Sequence, residues 1–85
     1  MKELKWSELK NERLKRTRGV SFEDLIQSKL IAVKKHPQKE RQNIMLFERN
    51  GYIWVVPYVA GGNEIFLKTL YPSRKYTRLY KRGEL

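Results

Sequence analysis

Residues 64–82 read EIFLKTLYPSRKYTRLYKR and are the most informative stretch for predicting the fold. The first half has the apolar pattern of a strand, and the second half, from Ser73 onward, has the composition of a short helix. Arg74 and Lys75 fall at the junction, with Tyr76 beside them. Because the strand determines where the helix begins, we expect these side chains to be well positioned. Two cations and a phenol suit a polyanion such as RNA, although a basic helix can equally be a solvated surface.

The chain has 85 residues, enough for one small domain spanning residues 1–85. Nineteen Lys and Arg against nine Asp and Glu give a formal net charge of +10. The excess lies at the two ends: residues 1–18 hold seven cations and three acids, and residues 68–85 hold six cations and one acid. Excess charge of one sign repels itself in a folded chain, so it indicates an anionic partner. Nucleic acid is the first candidate and an acidic protein the second. An anionic membrane is disfavoured because neither basic helix has a wide apolar face.

Composition also excludes several chemistries. The chain has no cysteine and one histidine, which rules out disulfides, thiolate nucleophiles and the common zinc sites. We therefore predict no metal and no cofactor. No signal-peptide pattern opens the chain, and no apolar run of about 18 residues occurs in it. We expect a soluble cytoplasmic protein.

Helix signals are clearest in the first third of the chain. Ser7 is a suitable N-cap for a helix over residues 8–18, and Gly19 is a suitable stop. Ser21 begins a second helix, with Asp24 at its third position. An apolar stripe that we expect to be buried against the sheet consists of Phe22, Leu25, Ile26 and Leu30.

The middle of the chain predicts an antiparallel meander. Asn50-Gly51 favours a type I′ hairpin turn. Strands are predicted over residues 30–34, 43–49, 52–59 and 64–71. The predicted fold class is therefore α+β, with two N-terminal helices, a three- or four-stranded largely antiparallel sheet and a C-terminal helix.

Along the strand predicted over residues 52–59, alternate side chains point to opposite faces of the sheet. The aliphatic set is Ile53, Val55 and Val59, and the second set is Tyr52, Trp54, Val56 and Tyr58. We expect the aliphatic set to face the second helix. The aromatic-rich set would pack under the terminal helix or stay open and stack bases. Pro57 cannot donate a ladder hydrogen bond, so we expect a bulge or a strand end near it.

If the partner is RNA, the available side chains suit cleavage through the 2′-hydroxyl. That reaction needs a base for the 2′ proton, cations for the phosphorane charge and an acid for the 5′ oxygen. The catalytic candidates are Arg74, Lys75, His36, Glu23 and Tyr76. The candidates for binding the RNA backbone are Lys10, Arg13, Arg78, Lys81 and Arg82. Arg74 is favoured as a bidentate phosphate clamp and His36 as an acid or base, although a histidine before a proline is also common in ordinary loops.

Two further segments are informative together. Residues 6–24 read WSELKNERLKRTRGVSFED, and residues 70–80 read LYPSRKYTRLY. In this order and spacing the segments resemble the BrnT family, the toxin halves of bacterial type II toxin–antitoxin pairs. The resemblance implies a compact RelE-like fold, mRNA cleavage that inhibits translation, and a cognate antitoxin that binds promoter DNA. The family's motif positions are occupied by Lys10, Glu23, Arg74 and Lys75. Where the family usually has Lys-His-Gly, this chain has residues 17–19 as Thr-Arg-Gly, so a histidine there is either lost or replaced by His36.

Three functions remain open. The first is a metal-independent endoribonuclease toxin, whose antitoxin would cover the first and last helices with an acidic segment and would alone contact promoter DNA. The second is a non-catalytic basic module that binds nucleic acid or an antitoxin, with affinity that falls steeply with salt and no cleavage. The third is an interaction protein whose basic ends meet an acidic helix.

Overall fold

The computed structural model describes residues 2–85, in which six strands and three helices form. In chain order these are β1 (Glu3–Lys5), α1 (Glu8–Arg18), α2 (Phe22–Ile26), β2 (Lys29–Lys35), β3 (Asn43–Arg49), β4 (Tyr52–Gly61), β5 (Glu64–Leu67), β6 (Tyr71–Pro72) and α3 (Arg74–Lys81). Within this described range, none of the helices has the length and apolar character needed to span a bilayer.

Helix α1 begins and ends where its sequence predicts. The Ser7 side chain accepts a hydrogen bond from the Lys10 amide at 3.2 Å, which caps the first turn. Gly19 ends the helix with φ 74°, in the left-handed region that glycine enters without strain. Its amide donates to the Lys15 carbonyl at 3.0 Å.

Helix α2 is shorter than predicted. Ser21 and Asp24 form a reciprocal capping box, which confirms its start. The helix ends after Ile26, and Leu30 belongs to β2, where it is 50% exposed. The predicted burial of Leu30 is wrong, because pairing of Leu30 with Phe47 of β3 overrides the helical spacing. A register shift follows Leu30 in this ladder.

The sheet has the strand order β1-β5-β4-β3-β2, with β6 also paired to β4. All pairings are antiparallel except that of β1 with β5. The sheet contains more strands than predicted, for two reasons. Residues 3–5 add a parallel edge strand, and the strand predicted over residues 64–71 is divided into β5 and β6. The Asn50-Gly51 turn is confirmed, since φ is 54° at Asn50 and 80° at Gly51.

Pro57 accounts for the division between β5 and β6. In a strand, the N–H and C=O of one residue point to the same side, and the Pro57 carbonyl accepts from the Lys68 amide at 2.8 Å. The missing Pro57 N–H therefore faces the gap between β5 and β6, where no ladder donor is needed. β4 itself continues through Pro57, opposite Ile44 of β3. The expected irregularity thus lies in the neighbouring strand, where β5 ends at Leu67 opposite Tyr58, while β4 itself continues.

Two hydrophobic cores lie on opposite faces of the sheet. Core 1, under α1 and α2, contains Leu14, Val20, Phe22, Leu25, Phe47, Val56, Tyr58, Leu67 and Leu70. Core 2, under α3, contains Ile44, Leu46, Ile53 and Val55, with Tyr71, Tyr76 and Tyr80 packed against it. Alternate residues of β4 enter the two cores, as the pleat of a strand requires.

The predicted assignment of the two β4 faces is therefore reversed. Ile53 and Val55 lie under α3, whereas Trp54 and Tyr58 pack on the side of α1 and α2. Small aliphatic residues leave room for the three tyrosines of β6 and α3, and the aromatic residues fill the space beneath the short α2. The prediction that the first and last helices form one surface is also wrong, because they cover opposite sheet faces.

Candidate nucleic-acid interface

The start of α3 is held by four hydrogen bonds, two of which join it to β4. The Ser73 amide donates to the Ile53 carbonyl at 2.9 Å, so the chain runs beside β4 until the helix begins. The Ser73 side chain then accepts from the Tyr76 amide at 3.1 Å as the N-cap. The Thr77 hydroxyl donates to the Ser73 carbonyl at 2.6 Å and accepts from the Ile53 amide at 2.9 Å. Arg74, the first residue of α3, consequently has a firmly placed backbone.

A shallow cleft on α3 collects three of the predicted cations. Its lining consists of Tyr52, Arg74, Thr77, Arg78 and Lys81, and its volume is about 350 Å³. We call it the α3 cleft. The three cations are exposed and lie at helical spacings that bring them to one side. Like charges at such spacing repel one another, so this cleft favours an anion. Arg82 follows at the C-cap of the helix.

Lys75 and Tyr76 do not line the α3 cleft. Tyr76 is half-buried and packs against core 2. The Lys75 Nζ lies 5.6 Å from the centroid of the Tyr76 ring, within the range of a cation–π contact. These two predicted catalytic residues therefore interact with each other on another side of the helix.

A second cationic site lies beside the interruption between β5 and β6. This strand-break cavity has a volume of about 390 Å³. Its lining consists of Lys10, His36, Gln38, Lys39, Gln42, Pro57, Lys68, Thr69 and Tyr71. Two predicted site residues, Lys10 and His36, meet here although they are distant in sequence. Lys39, Lys68 and Tyr71 were not predicted as site residues. The one feature of the sequence that could have indicated them is Pro57, which cannot donate a ladder hydrogen bond.

The backbone selects one tautomer of neutral His36. Its Nδ1 accepts hydrogen bonds from the amides of Gln38 at 3.1 Å and Lys39 at 3.2 Å. A nitrogen that accepts from N–H donors carries no proton, so the neutral ring is protonated at Nε2. In this arrangement His36 can donate a hydrogen bond to a phosphate oxygen, but neither ring nitrogen has a free lone pair to take a proton.

Tyr71 lines the strand-break cavity and packs against core 2, as Tyr76 of α3 does. Burial raises the pKa of its phenol above 10.0, and the nearby charge of Tyr76 raises it further. The Tyr71 hydroxyl therefore stays protonated at neutral pH and can serve as a donor.

Glu23 occupies a different place and has a structural partner. The side-chain Nδ2 of Asn11 donates to Glu23 Oε1 at 2.6 Å, and Asn11 Oδ1 accepts from the backbone amide of Phe22 at 2.8 Å. Asn11 is buried and thereby joins α1 to α2. The hydrogen bond from Asn11 lowers the pKa of Glu23 below 4.5, so the carboxylate is ionised at neutral pH. Glu23 lies with core 1, on the sheet face opposite α3, and is not brought to Arg74 or His36.

A groove of about 770 Å³ lies between α1 and α2 and is a weaker candidate. Acids and bases alternate around it: Glu8, Glu12, Lys15, Arg16 and Glu23. A mixed lining of this kind does not attract a polyanion. Arg13 is exposed on α1 and lies in neither cationic site, whereas Lys10 reaches the strand-break cavity.

Among residues 2–85, no three His, Asp or Glu side chains are grouped closely enough to hold a metal ion.

Comparison with known proteins gives one informative match. No protein-family model matches the chain, and no curated protein matches it. A solved structure does match: the crystal structure, at 1.1 Å resolution, of the ribonuclease toxin BrnT from Brucella abortus. The match covers 86% of this chain and 97% of that one, with a TM-score of 0.56 and 19% sequence identity. The protein therefore has a mixed α+β fold similar to that of this ribonuclease toxin.

Proposed function

We propose that the protein is a BrnT-like toxin of a type II toxin–antitoxin pair, an endoribonuclease that cleaves mRNA and so inhibits translation in the cytoplasm. The observation that carries this proposal is the likeness to the Brucella abortus toxin over 97% of that chain. The net charge of +10 supports a polyanionic substrate. The α3 cleft and the strand-break cavity are the proposed places for it.

The proposed reaction needs no metal or cofactor. The 2′-oxygen attacks the adjacent phosphorus, and the bond from phosphorus to the 5′-oxygen breaks. The products are a 2′,3′-cyclic phosphate and a free 5′-hydroxyl. A base accepts the 2′ proton, an acid donates a proton to the leaving 5′-oxygen, and cations stabilise the charge that builds up on the phosphorane.

The α3 cleft is the proposed phosphate clamp. Arg74 offers a planar fork of donors to two phosphate oxygens, from a position fixed by the Ser73 cap. Arg78 and Lys81 contact neighbouring phosphates, and Arg82 extends the basic surface. Lys75 and Tyr76 are proposed to border the same path on the side toward Tyr71.

The strand-break cavity is the proposed place of proton transfer. Tyr71 suits the role of acid because its phenol stays protonated at neutral pH. His36 donates from Nε2, and Lys10 and Lys68 direct their cationic side chains toward the charge on the phosphorane. Glu23 is no longer proposed as catalytic, since its carboxylate is occupied by Asn11 on the opposite face. Arg13 is proposed to contact RNA only outside both sites.

A cognate antitoxin is the second proposed partner, with promoter DNA contacted only through it. Its acidic segment is expected to cover the α3 cleft and the strand-break cavity. Opposite charges would speed association and make it salt-dependent. Protection from hydrogen exchange in such a complex should appear at Arg74–Lys81. Protection confined to the Asn50-Gly51 hairpin would contradict this arrangement.

A non-catalytic RNA-binding module is the alternative, and one observation favours it. Arg74 and His36 line separate sites, so the strongest clamp and the histidine are not together. Such a module would bind RNA with strong salt dependence and leave it uncut.

Cleavage of an end-labelled mRNA by the purified protein separates the two functions. Cleavage should persist in excess EDTA and should stop when the nucleotide at the cut carries 2′-deoxyribose. The products should end in a cyclic phosphate. RNA binding without cleavage under all conditions would instead establish the alternative.

A further inference from the structure

Phe66 is the aromatic side chain that the two cores leave most open. It lies on β5 and is 37% exposed, more than any other aromatic residue in the described range 2–85. Phe66 pairs with Val59 of β4 and Lys5 of β1. The alternation along β5 sends Leu67 into core 1 and therefore places Phe66 on the opposite face, the one that α3 covers in part.

Lys68 joins Phe66 to the strand-break cavity. The Lys68 Nζ lies 5.6 Å from the centroid of the Phe66 ring. Lys68 follows the last residue of β5, and its amide donates to the Pro57 carbonyl at 2.8 Å, so the chain still runs beside β4 at this point. Because Lys68 also lines the cavity with His36 and Tyr71, the ring adjoins a place suited to a phosphate.

On the side of Phe66 that faces β1, the local charge disfavours a polyanion. Lys5 lies between two carboxylates, at 3.5 Å from Glu3 and 4.0 Å from Glu64. Its charge is therefore offset locally. A phosphate backbone would be repelled from this edge and drawn toward Lys68.

We infer that Phe66 stacks on an unpaired base of a single-stranded RNA, while Lys68 holds the phosphate beside that base. The inference rests on the RNA substrate proposed above and assigns it a base-binding subsite. An exposed aromatic ring next to a lysine, bordering a cationic cavity, is the combination by which proteins bind single-stranded nucleic acid without pairing. Every base has a π-face, so this subsite tolerates different sequences.

The test measures binding of a fluorescein-labelled single-stranded RNA by anisotropy over a range of salt concentrations. Phe66→Ala should weaken binding about 5- to 150-fold, the range for loss of one stacked base. The slope of log affinity against log salt should stay unchanged, because no ionic contact is lost. Lys68→Ala should reduce that slope by about 1. A series of RNA oligonucleotides, each lacking the base at one position, locates the stacked base. At that position wild type and Phe66→Ala should bind with equal affinity.

Matched variants separate stacking from simple loss of apolar surface. Phe66→Tyr keeps the π-face and should bind as wild type, whereas Phe66→Leu keeps apolar bulk and should bind as Phe66→Ala. Leu4→Ala truncates a side chain of similar exposure, 38%, and should leave binding unchanged. Thermal melts of all variants establish that each is folded.

Three outcomes are distinguishable. If wild type binds and cleaves RNA but Phe66→Ala and Phe66→Leu bind equally well, the base subsite is wrong and the proposed function stands. If wild type neither binds nor cleaves RNA, the proposed function fails. If sedimentation shows that wild type forms a dimer that Phe66→Ala dissociates, the ring belongs to an interface with a second copy, which overturns the inference.

Discussion

The Thr77 hydroxyl accepts a hydrogen bond from the backbone amide of Ile53 at 2.9 Å. β6 ends before it can supply a backbone acceptor for the Ile53 amide, and the Thr77 hydroxyl serves instead. The contact therefore connects the sheet to the first turn of α3. Thr77 is 5% exposed, so water does not substitute for its hydroxyl. The position of Arg74 therefore depends on one buried side chain three residues later.

Replacing Thr77 by Val should destabilise the protein by about 1–3 kcal/mol, because the buried Ile53 amide loses its acceptor. Urea titration measures the change. Thr77→Ser keeps the hydroxyl and should lose less. An unchanged midpoint in Thr77→Val would mean that another group satisfies the amide. RNA cleavage should fall more than stability alone explains, since the Arg74 backbone loses its support.

Replacing Arg74 by Ala should lower the rate of mRNA cleavage by about 10²–10³, comparable to losing an oxyanion donor. RNA affinity should change far less, because several other cations share the backbone contacts. Arg74→Lys should also be impaired, since an ammonium cannot bind two phosphate oxygens as a fork. Arg13→Ala, on the opposite sheet face, is the matched control. If Arg74→Ala cleaved at the wild-type rate, α3 would not be part of the proposed active site.

Replacing His36 by Gln tests whether the ring moves a proton. Gln retains an N–H donor near the position of Nε2, so we expect the cleavage rate to fall less than about 10²-fold. A loss of about 10²–10⁴ would instead identify His36 as a general acid or base. The measurement is single-turnover cleavage alongside RNA binding.

The Lys15–Asp24 ion pair predicts how stability depends on acid pH. The hydrogen bond from Lys15, at 2.8 Å, lowers the pKa of Asp24 from 3.8 to about 2, and the Ser21 amide contributes. A carboxylate whose pKa is lower in the folded chain stabilises the fold above the unfolded pKa. This stability is present above about pH 3.8 and is lost as the pH falls toward 2.

Asp24→Asn should remove that part of the pH dependence and cost about 1 kcal/mol at neutral pH, a value that allows for the half-exposed lysine. Thermal melts at pH 7 and pH 2.5 measure it. The gap between wild type and Asp24→Asn should shrink at the lower pH. Glu12→Gln, on the exposed face of α1, is the control and should show no such change.

Core 1 predicts a contrast between two apolar residues that share a helical spacing in the sequence. Phe22→Ala should cost about 3–5 kcal/mol, because Phe22 is fully buried among α1, α2 and the sheet. Leu30→Ala should change stability by no more than about 0.5 kcal/mol, since Leu30 is half exposed on an edge strand. Denaturant titration of both variants measures this difference in the free energy of unfolding. Equal costs would place Leu30 in the core after all.

Features whose cause lies within a few residues could be predicted from the amino-acid sequence. Ser7, Ser21 and Ser73 each cap a helix, and their side chains accept from an amide three residues later. Asn50-Gly51 makes a hairpin because both positions need positive φ. Together with the basic ends and the quoted motif segments, these local signals were enough to predict an α+β fold and a cationic junction at Arg74.

Which surfaces meet could not be predicted from local sequence and became known from the packing of the folded chain. Alternation along β4 identified two faces but could not say which helix covers which, because either side of a pleated strand can be buried. The short β1 pairs with β5 from the far end of the chain, and no local pattern predicts a parallel partner. Lys10, His36 and Lys68 share a cavity beside Pro57, where the pairing of β4 with β5 ends before its pairing with β6 begins. Such contacts depend on how distant segments pack, and that information is spread over the whole chain rather than held in any one stretch of it.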